Sequence, residues 1–336
     1  MNVLIIGFGV VGKYYFKYLK KNKNVKNIFI YNNFKLPKNL KYKQIDFDLI
    51  KIKKNNIKHA IICTPSNLHH KFSKELAENG INILIEKPFV LQIKHAKDLI
   101  TINNKNKNLK CWVAFQNRCN LSVQKVKKYL IQKKIGNVFL ADCSMIWSRS
   151  QKYYSVSWRG KYESDGGVLA NQAIHLLDAI IYLFGEINKF NGLIKFNKKK
   201  LEAEDLISLN FEHGTNIITS FKATTRADAN YRSSIDIIGE KGRLLIKGIS
   251  LNTLHVLKKN KIFMDRKNSE SFGNEAMGNG HQKILKEFLS SSKLKSSFNL
   301  EIKDNIHSLK VIHSIYNSVH KNNFSIINEK QSRLGV

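Results

Sequence analysis

Two different spacings of apolar and polar residues divide the chain. Up to about residue 115, short apolar runs alternate with longer segments whose apolar residues recur at helical spacing. The runs predict strands at residues 2–6, 27–31, 43–46, 60–63, 81–85 and 110–115, with helices between them such as residues 68–78. Strands that alternate with helices predict a parallel sheet with helices on both faces, which is an α/β fold.

Beyond this region the spacing changes. Residues 122–133 predict a helix, residues 137–147 predict a long strand, and a strongly apolar helix is predicted directly after Gly166-Gly167. Apolar and polar residues then alternate, which predicts strands at residues 186–196, 203–211, 216–223, 233–238, 243–246 and 254–257, with closing helices at residues 282–290 and 302–320. This is an α+β pattern: a large, mostly antiparallel sheet with helices on one face. A second subunit is the simplest cover for the other face, so we expect a homodimer or homotetramer.

Composition changes this picture little. The chain has 336 residues, of which 43% are hydrophobic, as expected of a globular protein with two cores. No apolar run reaches the length of a membrane span and the first residues lack the features of a signal peptide, so we expect a cytoplasmic protein with no membrane contact. The four cysteines form no C-x-x-C pair, so we expect reduced thiols and no metal site.

The charge is the unusual feature of the composition. The formal net charge is +32, which by itself suggests a nucleic-acid partner. Only eight of the 57 basic residues are arginine, however, and the lysines are spread along the chain among many asparagines. Arginine is the residue that planar phosphate and base recognition favours. We interpret the charge as a solvated lysine surface that attracts small anions, and we expect no specific nucleic acid.

The first predicted strand leads directly into a glycine-rich turn, Gly7-Phe8-Gly9-Val10-Val11-Gly12, and then into a helix to about residue 21. The first glycine allows the tight turn, the second lets a pyrophosphate approach the main chain, and the third lets helix and strand pack closely. Free N–H groups at the helix N-terminus attract the phosphates. The motif lies between a strand and a helix, so it predicts a dinucleotide site made by all six residues.

The second strand is followed by Asn32, where dinucleotide-binding folds of this kind carry Asp or Glu for the adenosine ribose. Asparagine can hydrogen-bond a ribose hydroxyl but does not repel a 2′-phosphate, and Lys35 is close in sequence. We expect NAD as the cofactor, with NADP as the open alternative.

Two polar segments follow the fourth and fifth strands, at the sheet edge where ligands of such folds bind. The first contains Thr64, Pro65 and His69, and the second is Glu86-Lys87-Pro88. Lys87 follows a buried strand and precedes a proline, which makes it a candidate catalytic cation, although a surface charge is the simpler interpretation. We also expect a cis peptide bond before Pro88.

The strongly apolar helix predicted after Gly166-Gly167 carries three polar residues, Asn171, His175 and Asp178. Their spacings of four and three place them on one helical face. A buried polar line costs stability unless its groups are paired or used. One interpretation is a core histidine hydrogen-bonded to Asp178. The other is a catalytic base whose ring Asp178 or Asn171 orients.

Together these motifs resemble the Gfo/Idh/MocA oxidoreductases, and the resemblance covers essentially the whole chain. It is carried by the glycine turn, the T-P-S-N-L-H and E-K-P segments, the helix with His175 and Asp178, and I-D-I-I-G-E-K-G at residues 235–242. The family implies a Rossmann NAD(P)-binding domain, here residues 1–118, and a substrate-binding and oligomerisation domain, residues 119–336. It also implies an NAD(P)-dependent dehydrogenase acting on a CH–OH group, with Lys87 and His175 as the catalytic pair.

Three segments resemble the subgroup that oxidises UDP-linked amino-sugar uronates at C3 for surface polysaccharide biosynthesis: residues 116–120, 158–160 and 171–175. Asn171 replaces the Asp of most members, and Leu121 and Ala170 replace Pro and Met that are usual in the subgroup. The resemblance implies cofactor contacts, beyond the glycine turn, from Asn32, Thr64, Pro65, His69, Glu86, Lys87 and Gln116. The implied substrate contacts are Lys87, Arg118, Tyr154, Trp158, Arg159, Asn171, Gln172 and His175.

In the resulting hypothesis, His175 removes the proton of a sugar hydroxyl while hydride leaves the same carbon for the nicotinamide. Lys87 stabilises charge on the oxygen, and the two side chains face each other across the nicotinamide. Arg159 holds a carboxylate or phosphate of the substrate. Two alternatives stay open: a dehydrogenase of a free polyol, inositol or another sugar, and a non-catalytic nucleotide-binding sensor on the same fold.

Overall fold

The structure, a computed structural model, describes residues 1–34, 36, 41–196, 201–258, 269–271, 280–290, 294–318 and 325–335. The chain divides into two compact units. The first comprises Met1–Ala114 and Gln282–Ile306, and the second comprises Phe115–His281 and His307–Val336. The first unit thus includes a late segment, Gln282–Ile306, that the sequence prediction assigned to the second of two contiguous domains, residues 1–118 and 119–336. As functional domains, those two ranges stay predictions.

The first unit is built on a parallel sheet. Its strands are β1 Asn2–Ile6, β2 Asn27–Tyr31, β3 Lys43–Gln44, β4 Ile57–Ile62, β5 Asn82–Ile85 and β6 Cys111–Val113. Its helices include α1 Val10–Leu19, α2 Leu49–Lys54, α3 His69–Glu78 and α4 Ile93–Lys105. The six strands lie in the order β3-β2-β1-β4-β5-β6. The order reverses between β1 and β4, the point where such folds bind dinucleotides, so the predicted Rossmann arrangement is confirmed.

Continuous apolar runs produce these strands, because a parallel sheet covered on both faces buries every side chain. In β1, the last four side chains are each 0% exposed: Val3, Leu4, Ile5 and Ile6. The helices bury only one stripe, and in α1 it consists of Gly12, Tyr15, Phe16 and Leu19. The spacing of that stripe turns the side chains of α1 toward the sheet.

The late segment Gln282–Ile306 joins the first unit at the β6 edge of the sheet. Val113 N–H donates to Leu300 O at 2.8 Å. Lys110 Nζ, buried beside β6, donates to Phe288 O at 2.9 Å at the end of α8 (Gly280–Phe288). A cation at the C-terminus of a helix is favoured by the helix dipole and by the unpaired carbonyl groups there, so Lys110 ties α8 to the sheet.

The second unit is built on a mixed, mostly antiparallel sheet. Its strands are β7 Val138–Ile146, β8 Ile187–Lys195, β9 Leu206–His213, β10 Ile218–Thr224, β11 Arg232–Gly239, β12 Gly242–Lys247, β13 Thr253–Lys258, β14 Ser269–Ser271 and β15 Ser325–Ile326. The nine strands lie in the order β14-β13-β12-β11-β7-β10-β9-β8-β15. Among these described strands, only β7 and β10 pair in parallel. The α+β prediction for this region is confirmed, although the short strands β14 and β15 were not predicted.

One face of this sheet is buried and the other is exposed. In β10, Thr219 and Phe221 are each 0% exposed, whereas Ile218 is 42% exposed and Lys222 is exposed. The helices of this unit include α5 Leu121–Ile131, α6 Gln151–Tyr154, α7 Ile174–Phe184 and α9 Ile306–Ser318. Among the described residues of both units, no helix is long and apolar enough to cross a bilayer.

The helix expected directly after Gly166-Gly167 begins instead at Ile174, so that part of the prediction is wrong. Ala173 N–H donates five residues back to Val168 O at 2.7 Å, which interrupts the helical ladder. A new ladder starts from Ala173 O, which accepts the N–H groups of Leu176 and Leu177, both at 2.9 Å. Asn171 therefore lies in a turn before α7, whereas His175 lies in the first turn of the helix.

Candidate active site

Gly7 and Gly12 build the turn that follows β1. Gly7 has a φ of +89°, and a Cβ at this position would lie 2.7 Å from Cys63 O. A Cβ at Gly12 would lie 2.2 Å from Gly7 O. Only glycine fits at both positions, so α1 can start immediately at the end of β1.

Gly9 leaves an open cradle in the same turn. A Cβ at Gly9 would meet nothing within 4 Å, and both Gly9 and Val10 are exposed at the N-terminus of α1. The helix dipole favours an anion at this place. After β4, the Oγ1 atom of Thr64 is buried and has no hydrogen-bond partner among the described residues. An open main-chain cradle and an unused hydroxyl fit the pyrophosphate and ribose of NAD(P).

Asn32 stabilises the glycine turn, and it also lies where a ribose-binding residue is expected. Its Oδ1 accepts the N–H of Phe8 at 3.1 Å, and its Nδ2 donates to Phe34 O at 3.0 Å. The ring of Phe8 packs inward against Phe16, with the centroids 5.5 Å apart. The amide of Asn32 keeps one further acceptor and one further donor position, which suit ribose hydroxyls. Lys35 lies outside the described residues.

Asn32→Asp is expected to shift cofactor preference toward NAD, with the ratio of the NADP to the NAD dissociation constant rising about tenfold. The new carboxylate still accepts from Phe8 N–H but repels a 2′-phosphate. Cofactor binding is measured directly, by calorimetric titration with each dinucleotide. The control is Asn33→Asp, which adds the same charge at the exposed next residue. An unchanged ratio in Asn32→Asp would place the ribose elsewhere.

His69 connects the ends of β4 and β5. It is 1% exposed, and its two ring nitrogens lie 2.9 Å from Pro88 O and 2.9 Å from Thr64 O. Burial lowers the pKa of His69 to about 4, so the ring is neutral and donates to one of the two carbonyl groups. The peptide bond between Lys87 and Pro88 is cis, as predicted. His69 therefore supports the loops that carry Thr64, Pro65 and Lys87, and its own contact with a cofactor stays a prediction.

Glu86 and Tyr15 form a buried pair next to Lys87. The OH of Tyr15 donates to Glu86 Oε1 at 2.7 Å, and the N–H of Lys87 donates to Glu86 Oε2 at 3.3 Å. Burial raises the pKa of Glu86, whereas these two neighbours oppose the rise. Lys87 is half-buried directly after β5. The carboxyl group of Glu86 thus faces inward, and it holds the main chain that presents Lys87.

Among the contacts that the structure describes, Asp178 does not pair with His175, so the interpretation of a core histidine hydrogen-bonded to Asp178 is wrong. The carboxylate accepts from Arg118 Nη2 at 2.6 Å and Arg118 Nε at 2.9 Å. Both side chains are buried, at 3% and 0% exposure. A buried guanidinium needs a planar acceptor, and the carboxylate of Asp178 on α7 supplies one. Arg118 is thus engaged inside this unit, and its assignment to substrate binding stays a prediction.

His175 lies half-buried in the first turn of α7. The segment Gln116–Cys119, a short 3₁₀ turn, packs beside it. Gln116 Nε2 lies 3.5 Å from His175 Nε2, and Asn117 Nδ2 donates to His175 O at 3.4 Å. The structure therefore brings together two residues that the sequence assigned separately, Gln116 to the cofactor and His175 to catalysis.

Arg159 is held by aromatic rings. Its guanidinium carbon lies 3.8 Å from the ring centroid of Tyr153 and 5.0 Å from that of Trp158. Gln172 Nε2 donates to the OH of Tyr153 at 3.2 Å. Arg159 Nε is buried without a hydrogen-bond partner, and no carboxylate pairs with the guanidinium, among the described residues. Arg159 Nη1 donates to Tyr153 O at 3.3 Å, and a positioned cation with further donors suits an anionic ligand.

Tyr154 and Asn171, two further predicted substrate contacts, have partners in the same unit. The OH of Tyr154 lies 2.9 Å from Thr225 Oγ1, and burial raises the pKa of Tyr154 to about 12. Asn171 Nδ2 donates to Asp165 Oδ2 at 2.5 Å. Their roles toward a substrate stay predictions.

Two buried residues were missed by sequence reasoning. Tyr15, the partner of Glu86, belongs to the buried stripe of α1, and its helical spacing from Gly12 was a usable signal. Glu204 is 1% exposed and accepts the N–H of Leu169 at 2.8 Å. The signal for Glu204 was the acidic pair formed with Asp205 at the start of an apolar strand, where charges are costly unless they are used.

Two family models match the chain. Residues 1–115 match the model described as the oxidoreductase family, NAD-binding Rossmann fold, and residues 123–245 match the GFO/IDH/MocA C-terminal domain. The levoglucosan dehydrogenase of Pseudarthrobacter phenanthrenivorans is 32% identical over 136 residues, which are 40% of this chain and 34% of that protein. The chain spans about a third to a half of the length of the curated relatives it matches.

Solved structures match over nearly the whole chain. The WlbA dehydrogenase from Bordetella pertussis, in complex with NADH and UDP-GlcNAcA, has a TM-score of 0.84 at 22% identity and covers 98% of both chains. A levoglucosan dehydrogenase in complex with NADH and levoglucosan has a TM-score of 0.81 at 21% identity, covering 97% of this chain and 99% of that one. At these identities the likeness establishes the fold alone.

Proposed function

Because the chain belongs to the GFO/IDH/MocA family of NAD-binding sugar oxidoreductases, we propose that it is an NAD(P)-dependent dehydrogenase of a sugar hydroxyl. The finer proposal is oxidation of C3 in a UDP-linked amino-sugar uronate. The arrangement around Arg159 supports an anionic substrate, and the segments at residues 116–120, 158–160 and 171–175 support this sugar class. As in the subgroup that they resemble, the product would supply surface polysaccharide biosynthesis.

The reaction breaks one C–H and one O–H bond of the substrate and leaves a ketone. Bound in its oxidised form, NAD(P) would supply the acceptor for the hydride that leaves the carbon. His175 is the proposed base that takes the hydroxyl proton, since an imidazole titrates close to working pH. Lys87 is the proposed cation that stabilises the developing charge on the oxygen. Their contact with one substrate oxygen is part of the proposal.

Arg159 is the residue that favours an acidic substrate. The rings of Tyr153 and Trp158 hold the guanidinium in place before any ligand binds. A carboxylate or phosphate would complete two parallel charge-assisted hydrogen bonds. Gln172 and Tyr153 add a neutral polar pair beside it, which suits sugar hydroxyl groups.

The proposal is tested by following the absorbance of NADH with a panel of sugars: UDP-sugar uronates, neutral UDP-sugars, and free polyols including inositol. Reduction of NAD with the UDP-uronates alone would support the finer assignment. Turnover of a free polyol or a neutral sugar would favour the alternative dehydrogenase. Ligand-dependent thermal shifts without turnover of any sugar would favour a sensor.

Arg159→Lys is expected to raise the KM for the uronate about tenfold or more, with a much smaller change in kcat. Lysine keeps the charge but loses the planar pair of donors. The kinetics are measured with the uronate and with its neutral analogue, whose KM should not change. The control is Arg243→Lys, at an arginine that is committed to Asp236. Equal effects on the charged and the neutral sugar would remove Arg159 from anion recognition.

We also propose that a second copy of the chain covers the exposed face of the nine-stranded sheet. The strand registers place Leu140, Leu193 and Ile218 on this face, at 36%, 53% and 42% exposure. Exposed apolar side chains that share one face are typical of subunit contacts.

A further inference from the structure

Glu204, which precedes β9, has no role in the mechanism above but is buried beside the turn of residues 165–173. Its Oε1 accepts the N–H of Leu169 at 2.8 Å and the OH of Tyr316 at 3.0 Å. Its main-chain oxygen accepts the N–H of Val168 at 2.8 Å. One residue from another part of the chain therefore receives two consecutive N–H groups of this turn.

The preceding residue of the turn packs on the same carboxyl group. A Cβ at Gly167 would lie 2.0 Å from Glu204 Oε2, so only glycine fits there. The N–H of Gly167 donates to the OH of Tyr316 at 3.4 Å. Three consecutive N–H groups, at residues 167, 168 and 169, thus end on Glu204 or on its partner Tyr316.

This turn leads directly into the residues of the proposed site. Gln172 and Asn171 lie in its second half, and His175 is the second residue of α7. Asp205, next to Glu204, accepts from Arg226 Nη2 at 2.6 Å, and its main-chain oxygen accepts the N–H of Thr225 at 3.0 Å. The acidic pair therefore anchors the turn before His175 on one side and the end of β10 on the other.

We propose that Glu204 is a positioning residue, which fixes the turn of residues 165–173 and through it the start of α7 and the imidazole of His175. The effect on catalysis rests on the proposed function of His175. The anchoring of the turn does not.

The hydrogen bonds, rather than the charge, carry this role. Both side-chain hydrogen bonds end on Oε1, so an amide oxygen at that position would accept them equally well. Burial raises the pKa of Glu204 to about 7, while the hydrogen bonds from Leu169 and Tyr316 oppose the rise. Glu204→Gln therefore separates the hydrogen bonds from the charge, and Glu204→Ala removes both.

Hydrogen–deuterium exchange of peptides covering residues 165–173 tests the anchoring in the full chain. In Glu204→Ala these amides are expected to exchange about tenfold faster, whereas in Glu204→Gln they exchange as in the parent protein. In Tyr316→Phe, which removes one partner of Oε1, the exchange rate is expected to lie between those of the two Glu204 variants. Its matched control is Tyr162→Phe: that ring packs edge-on against Tyr316, but its OH accepts from Arg333. Exchange that is unchanged in Glu204→Ala, or equally fast in Glu204→Gln, would overturn the proposal.

If Glu204→Ala does not fold, the anchoring is tested by comparing Tyr316→Phe with Tyr162→Phe. Faster exchange in Tyr316→Phe would support it, and equal exchange in both variants would overturn it. Where turnover is measurable, kcat of Glu204→Ala is expected to fall about tenfold while the KM for NAD stays constant, because the glycine turn belongs to the other unit. Fast exchange with an unchanged kcat would overturn the positioning role. Absence of turnover in the parent protein would overturn the proposed function and leave the exchange test valid.

Discussion

Replacing Lys87 or His175 by alanine is expected to lower kcat about a hundredfold or more, which is the size of effect of a lost general base or oxyanion partner. Both side chains are half-buried, so neither substitution removes much apolar packing, and the fold should persist. Binding of NAD should therefore persist, since the glycine turn and Asn32 are untouched. The rate is measured from NADH formation at saturating sugar, and NAD binding by calorimetry.

The double variant Lys87→Ala/His175→Ala tests whether the two residues act together. If both residues act on one substrate oxygen, kcat of the double variant should fall little further than kcat of the more impaired single variant. A fall in kcat equal to the product of the two single falls would show that the residues act independently and would contradict the pairing. Lys94→Ala, at an exposed lysine, and His255→Ala, at a half-buried histidine of β13, are the controls for the two substitutions. Full activity in Lys87→Ala or His175→Ala would remove that residue from the mechanism.

Arg118→Met is expected to destabilise the fold by about 3–5 kcal/mol, because it leaves the buried carboxylate of Asp178 without its partner. Burial already raises the pKa of Asp178, and the guanidinium opposes that rise. Arg118 also lies over the ring of Tyr182, with the guanidinium carbon 5.3 Å from the centroid. The free energy of unfolding is measured by urea denaturation.

The double variant Arg118→Met/Asp178→Leu is expected to recover most of that loss, because it replaces the ion pair by apolar side chains of similar volume. The control is Arg243→Met, which breaks the more exposed pair with Asp236 and should cost less than about 1 kcal/mol. A cost in Arg118→Met no larger than in Arg243→Met would show that the buried pair is not required for stability.

Local chemistry made much of the first unit predictable. A parallel sheet covered on both faces requires continuous apolar strands, so β1, β2 and β5 were visible as apolar runs. The steric demand at Gly12 acts against Gly7, five residues earlier, which is why the turn and its ligand class could be inferred from six letters. The demand at Gly7 comes from Cys63 at the end of β4, which only the fold brings close. The cis bond before Pro88 was likewise a local inference.

The start of the helix that carries His175 could not be predicted from local sequence. Its apolar composition predicted a helix correctly, but the start was placed too early. The N–H groups of Val168 and Leu169 are taken by Glu204, which lies 35 positions after Leu169 in the chain. Helical spacing also suggested that Asp178 serves His175. Arg118, which takes that carboxylate, lies 60 residues earlier and gives no periodic signal.

The sequence by itself therefore determined most of the elements, the parallel class of the first sheet and the class of cofactor, because spacing and backbone sterics act over a few residues. Only the tertiary structure decided which polar groups are paired: Tyr15 with Glu86, Arg118 with Asp178, and the turn before α7 with Glu204. A buried polar group takes whichever partner the fold brings within hydrogen-bond distance, and that choice is made between segments far apart in the chain.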